Sequence, residues 1–450
     1  MESDISQAFQ EELTCFICLN YLTGPVTISC GHSFCRHCLC LSWENIQPPV
    51  HCPVCKEPSQ QKDLRTDHLL KELVSISRQA SLRKCLSSEE NLCVTHKETK
   101  RIFCQEDRLL LCQLCSNSEE HEGHTLCPTE AAVEKQREKL LEQMTCLWEK
   151  IQENQRHLNE EKKIILAWMG YVPLREVLVR TEYRKLHPVI LEEEMQHVES
   201  LKNEGQSILE KLQKSTAIMV RKRNQLRETY QELAARCQGT HMELLQDLRE
   251  ILTRSESVQQ SMPQPMKLAL SAQPITGLVH RSNHFRVEIF FENEIMIHYK
   301  MNLFNEVRRF SFPHQLQDAS VNSDGCYSVF WGTQSFSYGK HYWELFVCDS
   351  WDWAIGVCKD SQLTKCGPLI ELKDVFLLVF VKEGDYYSLL TTSPSLLHYV
   401  EIPLGQIGVL LDCDLGSVSF LNVAKNSLIW KYPTGAFNFP VRPFFSIGHA

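Results

Sequence analysis

The sequence has no run of about eighteen apolar residues, so it offers no candidate for a membrane-spanning helix. Its first residues, Met1-Glu2-Ser3-Asp4, are acidic and lack the apolar stretch of a secretory signal, which argues against secretion. There is no excess of positive charge. The 47 lysines and arginines face 56 aspartates and glutamates, for a net charge of -9, whereas phosphate contacts need clustered cations. A dedicated nucleic-acid binder is thereby disfavoured, and protein partners are expected. Turn-forming residues are sparse between Thr129 and Gln260. The rest is ordinary for a soluble protein, with 43% hydrophobic and 23% charged residues over a 450-residue chain. Such a length suggests about three domains.

Cysteine, by contrast, is abundant. In a chain without a secretory signal, dense cysteines point to metal binding before disulfides. Eleven of the 21 stand between Cys15 and Cys115 at ligand spacings. The other ten, among them Cys85, Cys146, Cys237 and Cys413, are expected to be thiols in a reducing compartment, which places the protein inside the cell, in the cytoplasm with the nucleus as the alternative.

The first cluster reads C-x2-C-x11-C-x-H-x2-C-x2-C-x13-C-x2-C, from Cys15 to Cys55. Each C-x2-C pair can grip one tetrahedral zinc, and four pairs make two closed sites with no position for water, so the metal is structural. A stretch of about 45 residues is too small to hold itself together by hydrophobic burial alone. Structural zinc supplies an apparent ~10–16 kcal/mol per site in small finger peptides. The spacing resembles the RING domain. That resemblance implies an interleaved arrangement in which Cys15, Cys18, Cys35 and Cys38 hold one zinc and Cys30, His32, Cys52 and Cys55 the other. It also implies docking of a ubiquitin-charged conjugating enzyme on a shallow apolar groove, here assigned to Ile17, Leu39 and Pro53, with Trp43 near the flanking helix. Lys56 stands where active RINGs often carry an arginine; a lysine brings the charge without the planar fork.

The second cluster reads Cys93-x2-His96-x7-Cys104-x2-Asp107-x4-Cys112-x2-Cys115-x5-His121-x2-His124, after a helical-looking linker over residues 60–90. Thiolate, imidazole and carboxylate are all legitimate zinc donors. The order resembles a B-box of the second type, which implies Cys93, His96, Cys112 and Cys115 around one zinc and Cys104, Asp107, His121 and His124 around another. Four zinc ions are therefore expected.

From Thr129 the positions Leu140, Met144, Leu147, Ile151, Asn154, Leu158, Glu161 and Ile165 advance by alternating four and three, the seam of a coiled coil. A second run passes through Leu212, Met219, Leu226, Tyr230, Leu233, Cys237, Leu244 and Ile251. Pro173 and Pro188 predict a kink or break, since a proline in a helix forfeits a backbone bond. One amphipathic rod cannot bury its own seam; a partner chain is the expected cover and a folded-back hairpin the alternative.

Beyond Ser261-Met262-Pro263-Gln264-Pro265 the pattern turns to short apolar runs between turn residues, which suggests a β-sandwich. Candidate strands are Val287 to Phe290, Tyr342 to Val347, Val375 to Val381 and Gly408 to Leu411. Gly339-Lys340-His341-Tyr342-Trp343-Glu344, Trp353 to Cys358, Leu411 to Phe420 and Pro440 to Phe445 resemble the PRY–SPRY domain. A Leu-Asp-Pro element expected at its start is absent; Phe290-Phe291-Glu292-Asn293 stands there instead. Such domains bind proteins through loops at one end, and Asp349, Ser350, Trp351 and Asp352 are the candidate contacts.

The succession resembles the tripartite motif family. It implies a multidomain α+β chain: a RING over 11–60, a B-box over 88–129, a coiled coil over 130–260 and an antiparallel PRY–SPRY β-sandwich over 270–450. The resemblance further implies a RING-type ubiquitin ligase, an elongated antiparallel homodimer, an unidentified protein substrate and a place in innate immunity, with no nucleic-acid or membrane partner. A non-catalytic dimeric scaffold is the alternative function.

Overall fold

The computed structural model describes residues 12–448 except 44–45, 47–48, 60–63, 65, 87–91, 186–189, 246–247, 293–303, 305–306, 308–326, 349–350, 361–373, 384–385 and 404. Two compact units emerge, one of residues 1–162 and 214–265, the other of 163–213 and 266–450. Among the described residues no helix is long and apolar enough to cross a membrane.

In the first unit, the N-terminal zinc module pairs β1 (Pro25–Thr27) with β2 (Ser33–Cys35), followed by helix α1 (Arg36–Trp43) and the short strands β3 (Val50–His51) and β4 (Pro58–Ser59). Its interior is Leu13, Leu22, Val26, Ile28, Phe34, Leu39, Trp43 and Val50 together with buried cysteines. Trp43 donates its indole N–H to the His51 carbonyl at 2.9 Å, tying α1 to β3, so it is a packing residue. The region read as a linker is helix α2 (His68–Leu86), whose Val74 joins the same interior. The second module is a three-stranded sheet of β5 (Ile102–Cys104) between β6 (Leu110–Leu111) and β7 (Leu126–Pro128).

Two long helices follow, α3 (Thr129–Tyr183) and α4 (Leu191–Gln238). They run antiparallel within one chain. In the first unit Arg223 donates to the Gln155 side chain at 3.1 Å, and Trp148 stacks obliquely on Tyr230 at 5.6 Å. In the second unit the Trp168 indole donates to the Gly205 carbonyl at 2.9 Å, and Arg180 pairs with Glu194 at 3.1 Å. The seam residues Leu140, Met144, Leu147 and Ile151 are therefore buried with Leu226, Tyr230, Leu233 and Cys237 of the same chain. Within one chain these contacts are those of the folded-back hairpin, the alternative to a partner chain. A shorter helix, α5 (Arg249–Gln259), joins this cluster through Ile251 and Leu252.

The break expected at Pro173 does not occur: the proline lies inside α3. Pro173 and Met169, the residue whose carbonyl loses its donor, are both exposed, so the forfeited bond lies on the solvent side of the helix. The chain reverses between Tyr183 and Leu191, and Pro188 lies outside the described residues.

The C-terminal domain is a two-sheet sandwich. One sheet orders β10 (Lys340–Val347), β15 (Gly405–Asp412), β16 (Ser417–Asn422) and β17 (Ser427–Lys431). The other orders β14 (Leu396–His398), β13 (Tyr386–Thr391), β12 (Val375–Glu383), β11 (Trp353–Lys359), β18 (Val441–Gly448), β9 (Tyr327–Gly332) and β8 (Phe291–Glu292). All pairings are antiparallel. Strand alternation sends Phe376, Leu378 and Phe380 of β12 into the core against Val409, Leu411 and Phe420. Leu377, Val379 and Val381 face the other way and are covered by Phe304 and Val307, which is why β12 reads as one unbroken apolar run. Val287 to Phe290, expected as a strand, is not one: it makes only single bonds, from Val287 N to Tyr342 O and from Thr333 N to Phe290 O, and strand pairing begins at Phe291; Asn293 lies outside the described residues.

Candidate metal centres and docking surface

The zinc modules are built from a repeated backbone unit. In four places a ligand is followed after two residues by a second ligand and then by a residue in the left-handed region: Leu19 (φ 58°), Lys56 (φ 62°), Lys97 (φ 56°) and Arg108 (φ 58°). The N–H of each closes a turn onto the carbonyl of the first ligand: Leu19 to Cys15 at 2.8 Å, Lys56 to Cys52 at 3.0 Å, Lys97 to Cys93 and Arg108 to Cys104 both at 2.9 Å. The turn aims both ligand side chains at one point. Asp107 ends the fourth such knuckle, in the geometry of Cys18, Cys55 and His96.

The structure brings the sixteen candidate ligands into four groups: Cys15, Cys18, Cys35, Cys38; Cys30, His32, Cys52, Cys55; Cys93, His96, Cys112, Cys115; and Cys104, Asp107, His121, His124. Within each group the donor atoms lie within 4.8 Å of one another. Tetrahedral zinc with Zn–S bonds of about 2.3 Å requires sulfurs about 3.8 Å apart. The Cys18–Cys35 separation is 3.8 Å and the Cys93–Cys115 separation 3.7 Å. In the fourth group His121 Nδ1 and His124 Nδ1 each lie 2.8 Å from Asp107 Oδ2, with Cys104 Sγ at 3.1 Å.

Four cysteine sulfurs brought this close form a closed donor set, which zinc would bind as thiolates. Backbone donors favour the charged form as well: Thr23 N–H points at Cys35 Sγ (3.1 Å) and Cys35 N–H at Cys15 Sγ (3.4 Å). His37, between two ligands, belongs to no group. It is buried, its pKa is pushed down to about 4 by that burial, and it accepts a hydrogen bond from the Gln238 amide at 2.7 Å.

Of the residues assigned to the docking groove, Ile17 is 39% exposed and Pro53 half-buried. Leu39 is fully buried in the module's interior, so it supports the surface from beneath and is not part of it. Its place after Cys38 puts it on the inner side of α1. Lys56 is exposed, and its ammonium donates to the Pro53 carbonyl at 3.0 Å. Phe16, Leu19 and Val54 are apolar and exposed on the same two knuckles. Sequence reasoning passed over these three, although an apolar side chain inside a ligand knuckle, where no core can form, is itself the signal.

The candidate contacts of the sandwich divide differently. Asp349 and Ser350 lie outside the described residues. Trp351 is 37% exposed. Asp352 is buried; its carboxylate accepts the Lys382 N–H and its carbonyl accepts the Gly448 N–H, at 2.9 and 2.8 Å. It fastens strand ends together, which corrects its assignment as a contact residue.

Comparison with known proteins agrees with these parts. Family models match residues 15–55 (zinc finger of C3HC4-type, RING), 88–129 (B-box zinc finger) and 340–450 (SPRY domain). Among curated proteins, human tripartite motif-containing protein 49D is 46% identical over 100% of both chains. Human tripartite motif-containing protein 51 is 42% identical over 100% of both, and mouse tripartite motif-containing protein 43C is 44% identical over 99% of both.

Proposed function

The chain belongs to the tripartite motif family, and from that premise we propose that it is a RING-type ubiquitin-protein ligase. In this reading a ubiquitin-charged conjugating enzyme docks on Ile17 and Pro53, together with Phe16, Leu19 and Val54 around them. The zinc ions fold the module and take no part in the transfer. Catalysis consists of holding the thioester in the geometry that a lysine attacks, a matter of orientation. The observation that carries the reading is the set of exposed apolar residues on the two RING knuckles, beside metal sites with no open position. The sandwich recruits the protein substrate, with Trp351 at its rim. The buried thiols Cys40, Cys237 and Cys358 suit a reducing compartment, and we assign the protein to the cytoplasm.

We further propose a homodimer, a reading that the helix register supports. The pairs Gln155/Arg223, Trp168/Gly205 and Arg180/Glu194 lie at nearly equal sequence distances on either side of about residue 188. If α3 and α4 straightened through that point, two chains would make the same contacts antiparallel to each other. Light scattering on the purified chain tests this, with a dimer mass expected.

The ligase reading is tested with the full chain and a panel of conjugating enzymes. Autoubiquitination is expected, and Ile17→Ala is expected to lower it about tenfold with four zinc ions retained. No activity with any conjugating enzyme would favour a non-catalytic scaffold, a reading that the tying of Lys56 to its own Pro53 carbonyl supports.

A further inference from the structure

The segment carrying Ile17 is a small hairpin. Leu22 N–H bonds to Leu13 O, Cys15 N–H to Asn20 O, and Thr14 bridges Tyr21, so residues 13–22 form one folded loop with Phe16 to Leu19 at the tip. Zinc fixes the tip through Cys15 and Cys18. The base is held by a residue from outside the zinc cluster.

That residue is Arg78, on α2. It is only 9% exposed, and its Nη2 donates to Tyr21 O at 3.0 Å, Leu22 O at 2.8 Å and Thr23 Oγ1 at 2.7 Å. One residue earlier, Ser77 Oγ donates to Tyr21 Oη at 3.3 Å. Leu22 and Thr23 are themselves buried. The start of α2 is fastened to the module independently: Asp67 N–H bonds to Pro25 O, Thr27 Oγ1 donates to Asp67 Oδ2, and Arg36 donates to Thr66 Oγ1. Eleven positions separate Asp67 from Arg78, about 16 Å of helix, so α2 is a strut pinned at one end to the zinc core and at the other to the hairpin base. Its outer side meets α3 through Lys71–Glu138 at 3.2 Å and Arg83–Glu130 at 3.3 Å, and Leu82 and Leu86 pack into the helical cluster.

We propose that Arg78 is a positioning residue for conjugating-enzyme docking: it sets the angle of the hairpin, and therefore of Ile17, against α2. It touches neither zinc nor the groove. The buried Leu22 carbonyl, the buried Thr23 hydroxyl and the part-buried Tyr21 carbonyl, which Thr23 Oγ1 also reaches, all accept from one guanidinium, and apolar packing cannot replace such bonds. The inference rests on the ligase reading above and assigns to α2 a role beyond linking two zinc modules.

The test uses the full chain and measures kcat and KM for discharge of ubiquitin from a charged conjugating enzyme onto free lysine, alongside zinc content and amide exchange over residues 13–23. Arg78→Met is expected to keep four zinc ions, speed exchange at Leu19 to Thr23, and raise KM for the charged enzyme about tenfold with kcat little changed. Arg78→Lys should restore part of the loss. Arg83→Met, on the same helix but facing α3, should leave KM unaltered. If Arg78→Met loses zinc, Thr23→Val replaces it, removing one acceptor from the hairpin side, with a KM rise of about threefold expected. An unchanged KM in a variant that retains its zinc overturns the proposal while leaving the ligase reading intact. A wild-type chain that discharges no conjugating enzyme overturns the ligase reading, and this inference with it.

Discussion

The two zinc modules use the same knuckle and differ in what surrounds it. In the RING, Cys15, Cys35 and Cys52 are wholly buried, and the ligands sit in a core with Leu13, Leu22, Phe34, Leu39 and Trp43, buttressed by α2. In the B-box the fourth site is open, with the Asp107 and His124 side chains 34% and 30% exposed, and the module's apolar side, Phe103 with Leu110 and Cys127, packs into the helical cluster of Leu82, Leu86 and Val133. One module has a core of its own reinforced by zinc; the other borrows its core from the neighbouring helices. Four ligands at the right spacing therefore guarantee a site, while its neighbours decide how firmly the metal is held and how far the loss of one ion spreads.

The largest effect should come from the buried side of this contrast. Cys35 ends β2, opposite Pro25, and its sulfur accepts the Thr23 N–H. Cys35→Ser should collapse the interleaved pair of RING sites, lowering zinc from four to about two per chain and discharge by more than about a hundredfold. Loss of a single ion, with discharge kept, would show that the RING sites stand independently. Asp107→Ala is the counterpart in the B-box. There about three of the four ions should remain and discharge should stay within about twofold, because no ligand of the RING depends on that site. A chelator followed by a metal indicator orders the wild-type sites by rate. Zinc should leave the open Cys104–Asp107–His121–His124 site about tenfold sooner than the Cys15–Cys18–Cys35–Cys38 site, and sooner still in acid, since bound ligands must be deprotonated. Equal rates would dissolve the distinction.

The ligands were legible because zinc restricts residue type and spacing together, which leaves little for the fold to add. The helices were legible too, but the α3 seam says only that a face is covered. Whether Leu147 meets a second chain or Tyr230 of its own depends on a reversal after Tyr183 that no periodicity records. Pro173 misled because a proline on the solvent side of a helix forfeits its bond there and not in the core. Leu39 and Asp352 misled for a common reason. Each stands beside buried motif residues, Leu39 between Cys38 and Cys40 and Asp352 before Trp353, and is buried with them, which a motif read as a surface does not reveal. Arg78 left no mark in the sequence, since two of its three acceptors are main-chain carbonyls and the third is a single threonine hydroxyl. Asn154, a polar residue at a seam position, is fully buried with neither amide atom paired, so the seam there tolerates a group it does not satisfy.

The smallest effect tests the comparison where the two modules are most alike. Phe16 and Val94 occupy the same position, the residue after the first ligand of a knuckle, and both are exposed, at 56% and 81%. Phe16 lies edge-on to His32 and Phe34 and adjoins Ile17, on the knuckle assigned to docking. On the Val94 knuckle the adjoining residue is Thr95. Phe16→Ser should thus lower discharge about threefold or more, by removing contact area with the conjugating enzyme. Val94→Ser should leave discharge unchanged and shift thermal stability by less than about 0.5 kcal/mol, since an exposed side chain with little to pack against contributes little. Should the two substitutions cost discharge equally, the apolar residues of both modules would belong to one docking surface, and the difference between a reinforced RING and a B-box that borrows its core would not be the one that decides function.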